Sequence, residues 1–315
     1  MADAPDTSAG GSSVKAGVER AALAAAGLVA AMPRLVLEAK RIAMNVQHGL
    51  HGRRRAGTGE NFWQYRRFVD GEPAARVDWR RSARDDHLYV REREWEASHT
   101  VWVWPDLSAS MDFASKGLAP KRERALVLAF ALAELLVKGG ERVGVPDLMR
   151  PSASRGIVER MAEKLVLAPA LPDSLPPAFP ASARSEIVLL GDFWSPAAEI
   201  IARLEALAAS GAHGHVVQVV DPAEETFPYS GRVEFREPEG GEALVVGRAE
   251  AWRAEYDLKL VEHRARIRVA AERLGWTFMV HRTDRPASDL LLALHARMGS
   301  GGPGAAPRPR GEAAE

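Results

Sequence analysis

Val101-Trp102-Val103-Trp104-Pro105-Asp106-Leu107-Ser108-Ala109-Ser110-Met111-Asp112 decides how the rest of the chain is read. Its first half is a short apolar run of β-branched and aromatic residues, the mark of a buried strand. Pro105 ends the ladder, because proline has no N–H to donate, and Asp106-x-Ser108-x-Ser110 comes at once after it. In an open α/β sheet, ligands bind in the crevice outside the carboxyl ends of the strands. A carboxylate and two hydroxyls delivered there are hard oxygens, suited to Mg²⁺ or Mn²⁺ rather than to zinc or copper. The same residue types also favour helix N-caps, and the pattern of the later strands separates the two readings.

A second apolar strand, Glu186–Leu190, ends in Gly191-Asp192, so Asp106 and Asp192 occupy comparable places after their strands. If those strands are neighbours in the sheet, both carboxylates converge on one ion together with Ser108 and Ser110. Around them strand and helix alternate. Helix is predicted over Pro120–Lys138 with Gly139-Gly140 as its stop, strand over Arg142–Val145, and helix over Arg155–Leu167. A Pro-rich connector spans Pro169–Pro180. Beyond Asp192 come a helix opened by Ser195-Pro196, a strand His215–Val220 ending in Asp221-Pro222, and a hairpin over 232–247 with Glu239-Gly240-Gly241 at its tip. A long helix Arg248–Leu274, a strand Thr277–Val280 and a helix Ala287–Met298 complete the order. Such alternation predicts a doubly wound, mainly parallel α/β sheet with helices on both faces. No G-x-G-x-x-G follows a strand and no P-loop motif occurs, so dinucleotide and P-loop binding are unsupported.

Upstream, residues 1–13 read as a disordered start and 14–97 as N-terminal helices plus an Arg-rich segment. Residues 98–298 form the α/β domain, and 299–315 form a disordered Gly/Pro/Ala tail. Pro33 is expected to start a second helix because its fixed φ suits a first turn, and Leu35, Ile42 and Val46, with Ala39, mark that helix's packed face. Between Arg53 and Glu96 there are eleven Arg, no Lys and nine Asp or Glu. Arginine favours planar, bidentate pairing with carboxylates, so an internal salt-bridge network is expected; with Phe62, Trp63, Tyr65, Phe68 and Trp79 interleaved, a nucleic-acid surface is the alternative.

Composition narrows the function classes. Lys+Arg and Asp+Glu are both 42, giving a formal net charge of zero, which argues against a wholesale nucleic-acid binder. The chain has no cysteine, which removes disulfides, thiolate chemistry and Cys-based zinc sites. The alanine-rich stretch Ala21–Ala31 is too short to span a bilayer, and a cytoplasmic location is expected. His213 and His215 share a strand face, but a zinc site would need further ligands. Ser108 lacks the G-x-S-x-G elbow of a serine nucleophile.

Asp106-x-Ser108-x-Ser110 after a central strand, with Asp192 after a later one, resembles the metal-ion-dependent adhesion site of von Willebrand factor type A domains. A bacterial family of such domains, domain of unknown function fifty-eight, is the closer resemblance. It rests on Gly59-Glu60-Asn61-Phe62, Tyr65-Arg66-Arg67-Phe68, Asp70-Gly71-Glu72, Arg76-Val77-Asp78-Trp79-Arg80, Ser82-Ala83-Arg84 and Asp221-Pro222-Ala223-Glu224. The resemblance covers roughly residues 45–298. It implies a von Willebrand factor A-like fold with an Arg-rich N-terminal extension and a small hairpin insertion, and association with a MoxR-type AAA+ ATPase. Many relatives begin with two membrane helices, which this sequence does not show. The adhesion site also takes a threonine from a loop after the second strand, whereas no Thr lies between Thr100 and Thr226; Ser152 or Ser154 is the expected substitute.

The function expected from these residues is a non-enzymatic, metal-assisted protein-interaction module. Mg²⁺ or Mn²⁺ would be held by Asp106, Ser108, Ser110 and Asp192, with an open position for a partner carboxylate. The alternatives are a Mg²⁺-dependent phosphoryl hydrolase built on Asp106 and nucleic-acid binding through the Arg-rich segment.

Overall fold

Runs of β-branched residues from Thr100 onward, each followed by a helix with an apolar stripe, build a layered α/β body in the computed structural model of this chain. The structure describes residues 9–51, 62–69, 73–84, 86–93, 99–167, 174–236 and 243–300. In chain order the elements are α1 Ala9–His51, β1 Phe62–Arg67, α2 Trp79–Ser82, β2 Tyr89–Arg93, β3 Thr100–Pro105, α3 Lys121–Lys138, β4 Arg142–Val145, β5 Met149–Ser152 and α4 Ile157–Leu167. Then come β6 Ser185–Gly191, α5 Ala197–Ala208, β7 His213–Val220, α6 Pro222–Thr226, β8 Val233–Phe235, β9 Leu244–Val246, α7 Arg253–Arg273, β10 Thr277–Arg282 and α8 Ala287–Ser300. The chain divides into two units, His48–Ser98 and the remainder.

The larger unit is a six-stranded sheet in the order β10-β7-β6-β3-β4-β5, parallel except for the edge strand β5. Side chains alternate across it, as the strand period of two requires. Trp104, Ile187, Leu189 and Val216 face α5 and α7, and form one core with Ile200 and Trp276. Val101, Val103, Val188 and Leu190, also buried, take the alternate positions of the same strands. On α3, residues from Ala125 to Leu136 are buried nearly all round rather than on the single face the sequence marks. The helix packs against β3 and β4, and against α4 and α8 as well, and an α-helix apolar on every side belongs inside a domain.

Several expectations change here. Ala9–His51 is one helix with Pro33 inside it, so Pro33 starts no second helix and residues 9–13 are helical. The proline removes one backbone bond and crowds the preceding turn, but Pro33 itself is exposed, and tertiary contacts hold the helix from Met32 onward. Met32, Leu35, Ala39, Ala43 and Val46 form its buried face, and ion pairs join Arg34 to Glu123 of α3 and Lys40 to Glu159 of α4. Ile42 is only half-buried. The short edge strand β5 goes unseen in the sequence because Met149-Arg150-Pro151-Ser152 shows no alternation. At the C-terminal end, Gly299 and Ser300 belong to α8. The hairpin β8–β9 forms as predicted; its expected tip and the expected tail beyond 300 lie outside the described residues.

In the smaller unit, β1 and β2 pair antiparallel with a bulge between Phe62 and Gln64. The Asp78 side chain caps α2 by accepting from Arg81 N at 3.0 Å. Buried Ser82 then joins the turn to the sheet, donating to Asp78 O at 2.8 Å and accepting from Tyr89 N at 2.9 Å. The Arg81 guanidinium lies 4.6 Å from the Tyr89 ring centroid. Arg80 and Arg84 are both exposed, so the buried carboxylate pairing expected of the Arg-rich segment does not extend to these two residues.

Two substitutions test this packing. Gly214 on β7 carries no side chain because Trp276 occupies the space, and a Cβ there would lie 2.0 Å from the ring. Gly214→Ala should destabilise the protein by about 1–3 kcal/mol, the range for overpacking a dense core, as read by denaturant unfolding; an unchanged midpoint would refute the wedge. Ser82→Ala should strand the Tyr89 N–H at about 1–3 kcal/mol and raise hydrogen exchange at residues 78–90.

Candidate functional site

The order β7-β6-β3 puts three parallel strands side by side, and each is followed directly by an aspartate: Asp221, Asp192 and Asp106. All three are fully buried. Asp106 and Asp192 are thus brought to one edge from adjacent strands, as the sequence predicts, with Pro105 opposite Leu190 in the register and Asp106 N donating to Leu190 O at 2.8 Å. Gly191 makes the close approach possible, since a Cβ there would lie 3.1 Å from Asp106 Cβ and 3.2 Å from its Oδ2.

Asp106 Oδ1 accepts from Ser108 N at 2.8 Å, and the Ser108 and Ser110 hydroxyls lie 3.1 Å apart. Asp106 Oδ2 is buried without a hydrogen-bond partner. Burial, with Asp192 adding to it, pushes the Asp106 carboxyl up to about 7, because a desolvated carboxylate beside another acid resists ionisation. An orphaned buried oxygen next to two hydroxyls suits a hard cation.

Asp192 does not complete such a site. Its Oδ2 accepts from Lys121 Nζ at 2.9 Å, and the same ammonium donates to Glu224 Oε1 at 2.5 Å. Lys121, the first residue of α3, is 1% exposed. Burial works to lower its pKa, but Asp192 and Glu224 outweigh burial and leave it raised, so the ammonium is charged. Next to it, Arg122 is buried and paired with Asp112. The site therefore holds a fixed cation where the sequence assigns Asp192 to a metal ion.

The threonine is not replaced either. Ser152 pairs with Val143, which pairs in turn with Val101, at the end of the sheet away from Asp106. Its hydroxyl accepts from Arg160 at 2.9 Å and from Ser154 N at 3.3 Å, so neither serine reaches the carboxyl ends of the strands. The donors fit a cation at Asp106, Ser108 and Ser110 but not the predicted four-residue set.

Sequence reasoning missed Asp221, Lys121, Glu224 and Ser115. Asp221 accepts from Ser115 N at 2.8 Å, from the Ser115 hydroxyl and from Ala223 N at 2.9 Å, and it forms a capping box with Glu224. A strand-end Asp followed by Pro and, three residues on, Glu is a legible capping signal. Around these groups, Glu224 also accepts from Trp194 Nε1 at 3.1 Å, and the Trp194 ring stacks on His263 of α7 at 5.9 Å between centroids. Gln218 spans Asp192 O and Arg264. His215 bonds Thr277 at 2.8 Å, and among the described residues no cluster of His, Cys, Asp or Glu has the form of a metal site. No described helix is long and apolar enough to cross a membrane.

Uncharacterized proteins of Mycobacterium bovis and of two Mycobacterium tuberculosis strains are each 28% identical over 280 residues, 82% of this chain and 86% of theirs. The crystal structure of the conserved hypothetical protein BatB from Bacteroides thetaiotaomicron aligns with a TM-score of 0.38 at 15% identity, over 64% of this chain and 100% of that one; a likeness that low carries no argument. A match over residues 64–266, well beyond half of the chain, places this protein in the family described as Protein of unknown function DUF58.

Proposed function

We propose that this chain is a non-enzymatic protein-interaction module that works with a MoxR-type AAA+ ATPase in remodelling or maturing a third protein, with the edge carrying Asp106 as its contact surface. The observation that carries this reading is the convergence of three strand-end aspartates and two serines where α/β sheets bind their ligands. The Asp-x-Ser-x-Ser pattern at a central strand supports the von Willebrand factor A-like assignment, and the family resemblance supplies the ATPase.

The phosphoryl hydrolase reading is disfavoured by the same geometry. Ser108 touches Ser110 rather than a base, and Asp106 is buried, with a carboxyl that resists ionisation. A nucleophile needs an activating neighbour within hydrogen-bond reach. No step of the interaction reading is routed through a metal ion, since Asp192 is already engaged by Lys121.

Asp106→Asn tests the reading, because it keeps the side chain's size and its bond from Ser108 N. Capture of a AAA+ ATPase from native lysate should fall at least about tenfold, equivalent to about 1.4 kcal/mol, while the thermal melt stays close to wild type. Phosphate release from p-nitrophenyl phosphate should stay at background in both proteins. Undiminished ATPase capture by Asp106→Asn would remove this edge from the contact surface.

A further inference from the structure

The α3 helix begins with a buried lysine, and that is the wrong place for one on general grounds. Helix N-termini carry partial positive charge and favour acids, so a cation in the first turn is repelled by the dipole. An ammonium is also among the groups that resist burial most, unless it is paired and hydrogen-bonded. Lys121 breaks the first rule at 1% exposure, and it meets the condition of the second through two carboxylates: Asp192 Oδ2 at 2.9 Å from β6 and Glu224 Oε1 at 2.5 Å from α6. The Phe113 ring lies 5.9 Å from the same nitrogen. Without the lysine, Asp192 and Glu224 would stand buried beside Asp106 with Trp194 Nε1 as their main remaining side-chain donor.

We infer that Lys121 is a tethered counter-ion that takes the place of a divalent cation at this edge, so that the Asp106 site is assembled without metal. Two observations bear on this independently. Asp192, the carboxylate that would close an ion's coordination from β6, is spent on the ammonium. The buried Arg122 guanidinium adjoins it in sequence and is likewise already paired, with Asp112. A divalent ion seated at Asp106, Ser108 and Ser110 would therefore lack the β6 carboxylate, which an ammonium already engages. The inference concerns the site that the interaction reading uses, but it is tested on the purified chain without any partner. Failure to find an ATPase partner leaves it standing, and its own failure leaves the contact surface open to a metal-dependent form.

The experiment compares wild type with Lys121→Met, which keeps the length of the side chain and removes the charge. Each protein is melted in EDTA and in millimolar Mg²⁺ or Mn²⁺, and Mn²⁺ binding is followed by calorimetry. Wild type should melt at the same temperature in EDTA and in metal, with no saturable Mn²⁺ uptake. Lys121→Met should melt several degrees lower in EDTA, recover in Mg²⁺ or Mn²⁺, and bind about one Mn²⁺ that Asp106→Ala abolishes, because a divalent ion compensates the exposed carboxylate pair. Saturable Mn²⁺ binding by wild type that is lost in Asp106→Ala overturns the inference, as does a folded Lys121→Met indifferent to metal. If Lys121→Met does not fold in either buffer, the wild-type titration alone decides.

Discussion

Three parallel strands ending in aspartate at one edge create an electrostatic problem that the neighbouring loops are built to solve. Two like charges a few ångströms apart in a poorly solvated site cannot both stay ionised without compensation. The protein compensates each acid differently. Asp221 is satisfied by hydrogen bonds from Ser115 and Ala223, which makes it a structural cap that pins the Ser115 loop to α6. Asp192 is neutralised by the Lys121 ammonium. Asp106 receives one backbone N–H, keeps a bare Oδ2 and has its carboxyl pushed up to about 7. The least compensated of the three is the one that carries the Asp-x-Ser-x-Ser pattern.

That compensation also orders the surroundings. Lys121 links the start of α3 to the loop after β6 and to α6 after β7, so three loops share one ion. Glu224 extends the link through Trp194 to His263 on α7, and Gln218 extends it from the Asp192 carbonyl to Arg264. The edge is therefore tied both to α3 and to α7, which packs with α5 around Trp276. Small residues are forced wherever the chains approach most closely: Gly191 against Asp106 and Gly214 against Trp276.

Most of this architecture is legible in the sequence because it rests on local periodicity. The alternating strands and helices and the hairpin follow from apolar spacing and turn residues, whereas the adjacency of the Asp106 and Asp192 strands is decided by the sheet order. What sequence reasoning loses is decided by distant partners. Pro33 reads as a helix start, yet the helix runs through it, with its buried face from Met32 to Val46 and ion pairs to Glu123 and Glu159. Ser152 reads as a stand-in ligand, yet the antiparallel edge strand β5 carries it to the far end of the sheet. Lys121 reads as an ordinary charged residue at a helix start. Its role depends on Asp192 and Glu224, 71 and 103 residues away, a separation no local pattern reveals. The one local hint is that its charge opposes the helix dipole.

Stability alone does not account for the charged cluster. Replacing a buried ion pair with well-packed apolar residues of similar volume is often neutral or stabilising, whereas removing one partner is strongly unfavourable, at roughly 3–5 kcal/mol. Asp192 and Glu224 share one ammonium, and on the neighbouring strand end Asp106 and Ser108 are buried, with Ser110 the half-buried member nearest to solvent. The charge cluster at this edge thus draws its compensation from three loops, and Asp106 is left as its least compensated member.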